Sequence, residues 1–236
     1  MKRKDIIFIV ACVIFFCPFF ISKDLYEAYK SFNQMHFMIM SFIKFAILAT
    51  LGEVIGLRIR TGNYNESNFG IIPRAIVWGL LGLTIKMAFT IFGTGTLAFI
   101  KSLGFEHFKA ANLPEILKGS MCVTKIGLAL CISLALNLIY APILMTLHKI
   151  TDTHIMDNGG SIASLVRPIK FGEIFVKINW NVMWNFVYKK TIPLFWIPAH
   201  TITFLLPVEW QVLYAAVLGI FLGVFLSIAS VMSRKK

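Results

Sequence analysis

Residues 36–60, HFMIMSFIKFAILATLGEVIGLRIR, decide the fold. From His36 to Leu57 the stretch is almost wholly apolar, and Arg58 and Arg60 close it. As a helix rising about 1.5 Å per residue it measures about 33 Å, enough to cross a hydrocarbon core about 30 Å thick. The chain repeats this pattern. Apolar blocks over 6–21, 75–100, 120–147, 191–206 and 209–232 make further spans, with turn-rich or charged connections such as Thr61–Gly70 between them. The first block, preceded by Lys2, Arg3 and Lys4, is about 24 Å long; no small-residue cleavage site follows it, and it reads as an uncleaved span. Pro207-Val-Glu209 divides the last long apolar region into two, and Pro193 and Pro198 kink its first half.

Composition agrees. Of 236 residues, 58% are hydrophobic and 14% charged, against about 45–50% and about 25% in soluble domains. So little charge cannot cover a water-facing surface of this size. The fold expected is an all-α polytopic transmembrane bundle of five to six spans, forming one domain over 1–236 with the lipid bilayer as its partner.

The net charge of +12 reads as topology, since no basic run carries a nucleic-acid recognition module. With six spans and both termini on one side, that side holds fifteen Lys and Arg and the other five: Lys23, Lys30, Lys101, Lys109 and Lys118. Positive charge collects on the cytoplasmic side, so both termini are expected there. Cys12, Cys17, Cys122 and Cys131 lie in apolar stretches without metal or redox spacing.

Residues 171–188 differ from the spans. Phe171, Ile174, Phe175, Ile178 and Val182 fall near one helical face, and Trp180, Trp184 and Tyr188 recur every fourth residue. This predicts an amphipathic helix at headgroup level, or a helix packed on the bundle. The preceding residues 148–170 are expected to form the longest polar connection, with His148, Asp152, His154 and Asp157 as a loose cluster in a solvated loop.

Small residues recur at helix-contact spacing. Gly52 and Gly56, Gly79 and Gly82, and Ala215, Gly219, Gly223 and Ser227 are expected to let backbones approach closely. They serve packing within the chain or, for the last span, a homo-oligomer.

Ionisable residues inside spans default to a functional hypothesis. Lys125 is near a span end and can snorkel outward; Glu53 can reach Arg58 or Arg60. Lys44 and Lys86 stand at a common depth of about 16–20 Å from the cytoplasmic end. They are expected to line one water-accessible cavity that favours anions. His200, in the kinked fifth span, either bonds a neighbouring helix or lines an aqueous path.

Several segments resemble, in order, the family of the twenty-two-kilodalton peroxisomal membrane protein and its inner-mitochondrial relative, the Mpv-seventeen protein. Gly52-Glu53 is similar to that family's Gly-Asp, and Gly82-Leu-Thr-Ile-Lys86-Met-Ala-Phe89 to its Gly-Pro-x-x-His-x-Trp-Tyr. Asn137-Leu-Ile-Tyr-Ala-Pro142 resembles its Gln-x-x-Phe-Ala-Pro. Trp196-Ile-Pro198, Thr203-Phe204, Leu206-Pro207 and Phe225-Leu226-Ser227 resemble its C-terminal motifs. Lys86 replaces a histidine, Leu136 an aspartate and Gln211 an arginine. The resemblance implies an organelle- or inner-membrane protein with pore-like behaviour, here in a bacterial cell membrane.

No hydrolase, nucleotide-binding or metalloprotease motif occurs. The function expected is a channel or facilitator for small polar, anionic solutes, without catalytic residues, metal or cofactor. The alternative is a structural or adaptor membrane protein.

Overall fold

The computed structural model of the protein describes residues 3–109 and 111–233. Lys2, Arg234, Lys235 and Lys236, four of the fifteen charges behind the expected topology, lie outside the described residues. Among the described residues every regular element is helical. Contacts divide the chain into two compact units, Met1–Met40 and Ser41–Lys236.

The first unit contains α1 (Arg3–Ile21) and α2 (Lys23–Met35). Pro18 starts a new turn after Cys17 and kinks α1 there. Ser22 caps α2, its hydroxyl accepting from the Leu25 amide at 3.2 Å. α2 was not legible as a helix because its residues read as a polar connection between spans.

The second unit holds α3 (Phe37–Thr61, its first residues belonging to the first unit), α4 (Ile71–Ser102), α5 (Val123–Asp157) and α6 (Phe171–Lys177). A continuous helix over 180–205, α7, follows, and α8 (Val208–Ser233) ends the chain. Among the described residues five helices are long and apolar enough to cross a membrane: Arg3–Ile21, Phe37–Thr61, Ile71–Ser102, Val123–Asp157 and Val208–Phe225. The expected span 191–206 is part of α7, which is not among those five.

Two expectations need correction. Residues 148–157 are the last three turns of α5, not the start of a loop. Its polar residues therefore stand at helical spacing on a packed element, and helix hydrogen bonds continue after the apolar composition stops. The amphipathic stretch 171–188 is helical but breaks at Ile178-Asn179, and its second half runs on into α7. Ile174, Ile178 and Met183 pack with Ile150 of α5. Lys177 donates to Asp157 at 2.7 Å, and that carboxylate holds the ammonium above its ordinary pKa.

Close backbone crossings set the packing. A methyl group on Gly52 would come within 2.8 Å of the Ile220 backbone, and one on Gly56 within 2.8 Å of Ser227 Oγ. α3 and α8 therefore cross where neither has bulk, running parallel. On another side of α3, Gly79 and Gly82 of α4 receive Phe42 and Phe45, antiparallel. α5 runs antiparallel to both α4 and α7: Thr84 Oγ1 meets the Tyr140 hydroxyl at 2.7 Å, and Ser133 Oγ donates to the Ile197 carbonyl at 2.7 Å.

Two helices widen to π geometry, α5 over Leu136–Tyr140 and α7 over Met183–Trp196. Pro193 and Pro198 lie in or beside the second, where missing amides interrupt the ladder. Such widened turns gather at functional sites.

Candidate functional site

At one end of α3, α4 and α5, five side chains converge. Helical spacing of four puts Arg74 and Trp78 on one face of α4, and His148 and Asp152 on one face of α5. Between them stands Glu53 of α3. Its Oε2 accepts from Arg74 Nη1 at 2.6 Å, and its Oε1 from Trp78 Nε1 at 2.8 Å and from His148 Nε2 at 2.8 Å. Arg74 also donates to Asp152, and His148 lies 3.9 Å from that carboxylate. The Trp78 and His148 rings are 4.3 Å apart.

The loop preceding α4 builds the remaining wall. Gly70 and Gly160 both have positive φ, 70° and 66°, and their backbones touch: a Cβ on Gly160 would lie 2.7 Å from the Gly70 amide. That contact is open only to glycine. It holds Phe69 so that its carbonyl accepts from Arg74 Nε at 2.6 Å while its ring lies 4.4 Å from the guanidinium. Arg74 is thereby 4% exposed, with both carboxylates at its fork.

A buried guanidinium is tenable only with such partners. With His148 protonated, the four ionisable groups sum to zero charge. The ligand atoms of Glu53, His148 and Asp152 lie within 4.8 Å of one another, but the guanidinium shared by the two carboxylates would repel a metal ion. The cluster is an ion network that ties three helices together.

Among the described residues of this unit, two cavities bear on the site. The inner one, about 320 Å³, is bounded at one end by Glu53, Trp78 and His148, and its wall includes Asn137, Trp196 and His200. The outer one, about 840 Å³, is lined by Lys86, Lys101, Lys118 and Lys125, with Glu209 as its single carboxylate among the described lining residues. Lys118 also pairs with Glu115 at 3.0 Å, and Lys125 Nζ donates to the Gly119 carbonyl at 2.8 Å. Phe89 lines both cavities. It is 4% exposed, and rings surround it, His200 at 5.5 Å and Phe204 at 5.3 Å. Trp196 stacks on His200 at 5.3 Å.

The residues singled out in the sequence separate in space. Glu53 and His200 line the inner cavity and Lys86 the outer one, whereas Lys44 is buried and lines neither. Glu53 pairs with Arg74 and with His148, which the helical extension of α5 brings to it. His200 Nδ1 bonds Thr203 Oγ1 of its own helix at 3.2 Å while its ring faces Phe89.

The small residues also divide. Gly52, Gly56, Gly79, Gly82 and Gly223 sit in close crossings, with Ser227 against Gly56; a Cβ on Gly219 would meet nothing within 4 Å. Gly219, Gly223 and Ala215 line the inner cavity.

Sequence reading missed Arg74, Trp78 and Phe89. Arg74 had a signal, since a charge flanked by Pro73 and an apolar run is costly to bury alone. Phe89 had none, being one of 22 phenylalanines.

The arrangement defines a multi-pass membrane protein with a buried ion network beside a cavity. No protein-family profile, curated protein or solved structure matches the chain.

Proposed function

We propose that the protein is a membrane channel or facilitator for small polar, anionic solutes, distantly related to the peroxisomal and Mpv-seventeen family. The observation that carries this reading is Phe89, a buried ring that lines both the lysine-lined outer cavity and the inner one. An excess of lysine over carboxylate, which remains after Lys118 is paired with Glu115, raises the local concentration of anions, and low-dielectric walls focus that field. The ring cluster of Phe89, His200 and Phe204 then serves as the constriction. A small rearrangement of packed side chains opens or closes it, because packed interiors switch between discrete arrangements.

In this reading the protein sits in a bacterial cell membrane with both termini cytoplasmic, and the outer cavity opens on the opposite face. Labelling of cysteines placed at the two ends, in intact cells, tests that orientation; labels on opposite sides would contradict it. No catalytic reaction is assigned.

The deciding measurement is flux into vesicles containing purified protein, with nitrate and acetate as anions against potassium. The expected result is anion-selective uptake that weakens when Lys86 and Lys101 are both replaced by glutamate. Absence of flux for all three ions would favour the adaptor reading, in which the polar residues serve only assembly.

A further inference from the structure

Lys86, Phe89, Gly93, Leu97 and Lys101 recur at steps of three and four along one face of α4, and all of them line the outer cavity. The two lysines are fifteen residues apart, about 22 Å along the helix. Lys86 lies near the middle of α4 and Lys101 in its last turn. Between them the face is apolar. Phe89 and Leu97 are buried, and a Cβ on Gly93 would meet nothing within 4 Å, so the middle of the face is unfilled. Leu113 of the following connection, Ile132 of α5 and Phe204 of α7 complete the apolar stretch.

The charges divide between the two ends. At the outer end, Lys101 closes α4, Lys125 stands in the first turn of α5, and Lys118 belongs to the connection between them. Glu115 pairs with Lys118 at 3.0 Å, and Glu209, in the first turn of α8, is the carboxylate of the described lining. Three cations against two carboxylates leave one net positive charge at this end. Lys125 is 7% exposed, and its Nζ donates to the Gly119 carbonyl at 2.8 Å, a dipole and not a counter-charge. Among the described lining residues, Lys86 supplies the charge at the inner end. Lysine at that depth is costly, and a counter-charge within the cavity offsets the cost.

We propose that the outer cavity is a binding site for an elongated organic dianion with an apolar middle and a carboxylate at each end, an α,ω-dicarboxylate. One carboxylate meets Lys86, the other meets Lys101 and Lys125 at the rim, and the chain lies along Phe89, Gly93 and Leu97. A small anion answers only one end. A fatty acid or a phospholipid acyl chain held by the rim lysines would lay its apolar terminus against Lys86, where the charge would gain no partner from it. The cavity, about 840 Å³, falls within the range of ligand pockets, about 300–1,000 Å³. The inference narrows the anion reading of this cavity and rests on that reading for the sign of the ligand's charge.

The test is equilibrium binding of radiolabelled dodecanedioate to the full chain in phosphatidylcholine nanodiscs at neutral pH, with no gradient imposed. One saturable site per chain is expected. Two competitors separate the features of the ligand. The hydroxy acid ω-hydroxydodecanoate keeps the length and loses one charge, and succinate keeps both charges and loses the length. Each should compete about tenfold more weakly than unlabelled dodecanedioate, or worse, because each forfeits a charge-assisted contact at one end. Lys86→Met should abolish the preference for dodecanedioate over the hydroxy acid. Lys101→Met should weaken dodecanedioate about three- to tenfold, since Lys125 remains at the rim. Should either variant fail to fold, the wild-type competition still decides. Non-saturable binding, or competition by the hydroxy acid or by succinate equal to that of dodecanedioate, would overturn the proposal. The transport reading fails separately. Dodecanedioate bound as expected without any flux of nitrate or acetate would keep the site and remove transport, whereas flux without saturable dodecanedioate binding would keep transport and remove the site.

Discussion

The outer and inner cavities share Phe89 but are built by opposite means. The outer one is lined by four lysines, of which Lys101 and Lys118 are exposed, while Lys125 is buried with its ammonium on the Gly119 carbonyl. The inner one is lined by Glu53, which Arg74 and His148 satisfy, and by Lys149, with an otherwise mainly apolar wall. The contrast teaches that positive charge in this chain has two uses. Where lysine reaches water it makes a field, and where arginine is enclosed it makes a joint.

Breaking the joint should have the largest effect. Arg74→Leu leaves Glu53 and Asp152 facing each other without their shared cation, and loss of one partner from a buried ion pair costs about 3–5 kcal/mol. Thermal unfolding in detergent reads this directly. Arg74→Lys should recover only part of the loss, since one ammonium cannot reproduce a fork held by two carboxylates and the Phe69 carbonyl. Unchanged stability in Arg74→Leu would show that the network is dispensable.

The helix crossing beside the inner cavity gives the next test. Gly52→Ala drives a methyl group to 2.8 Å from the Ile220 backbone and should cost about 1–3 kcal/mol, as overpacking does. Gly219→Ala, only across that crossing, points into open space and should stay within about 0.5 kcal/mol of wild type. Equal losses would mean that the two helices do not meet as described.

The boundary between the cavities should respond more modestly. Phe89→Leu keeps an apolar plug but removes the ring that faces His200 and Phe204. On the transport reading, anion uptake into vesicles rises severalfold while stability changes little; uptake no faster than wild type would place the constriction elsewhere. The smallest effect belongs to the exposed rim. Lys101→Glu should reduce anion uptake roughly two- to fivefold at low salt, and the difference should fade as ionic strength shortens the Debye length to about 3 Å near 1 M. A salt-independent loss would point to a direct contact instead.

How much of this was legible can be judged from two helices. α3 could be read off residue by residue, because an uninterrupted apolar run closed by Arg58 and Arg60 admits few structures besides a membrane-length helix. α5 could not. Its apolar run stops near Leu147, and the polar residues that follow resemble a loop, yet the helix continues to Asp157. Hydropathy reports where lipid is tolerated, not where backbone hydrogen bonding ends. That extension carries His148 and Asp152 to Glu53, and no local pattern linked residues separated by 95 positions.

The sequence by itself therefore determined the class: an all-helical, multi-pass chain, its long apolar helices and the glycine positions at which they can meet. These follow from properties each residue carries alone, its transfer free energy, its backbone freedom and its place in a helical period. Only the tertiary structure decided which charges pair, that Phe89 lines both described cavities, and that Gly52 is confined while Gly219 is not. The physical reason is that pairing and confinement belong to relations between helices. Those relations arise when backbones cross at a few ångströms, and a linear pattern of residues does not contain that distance.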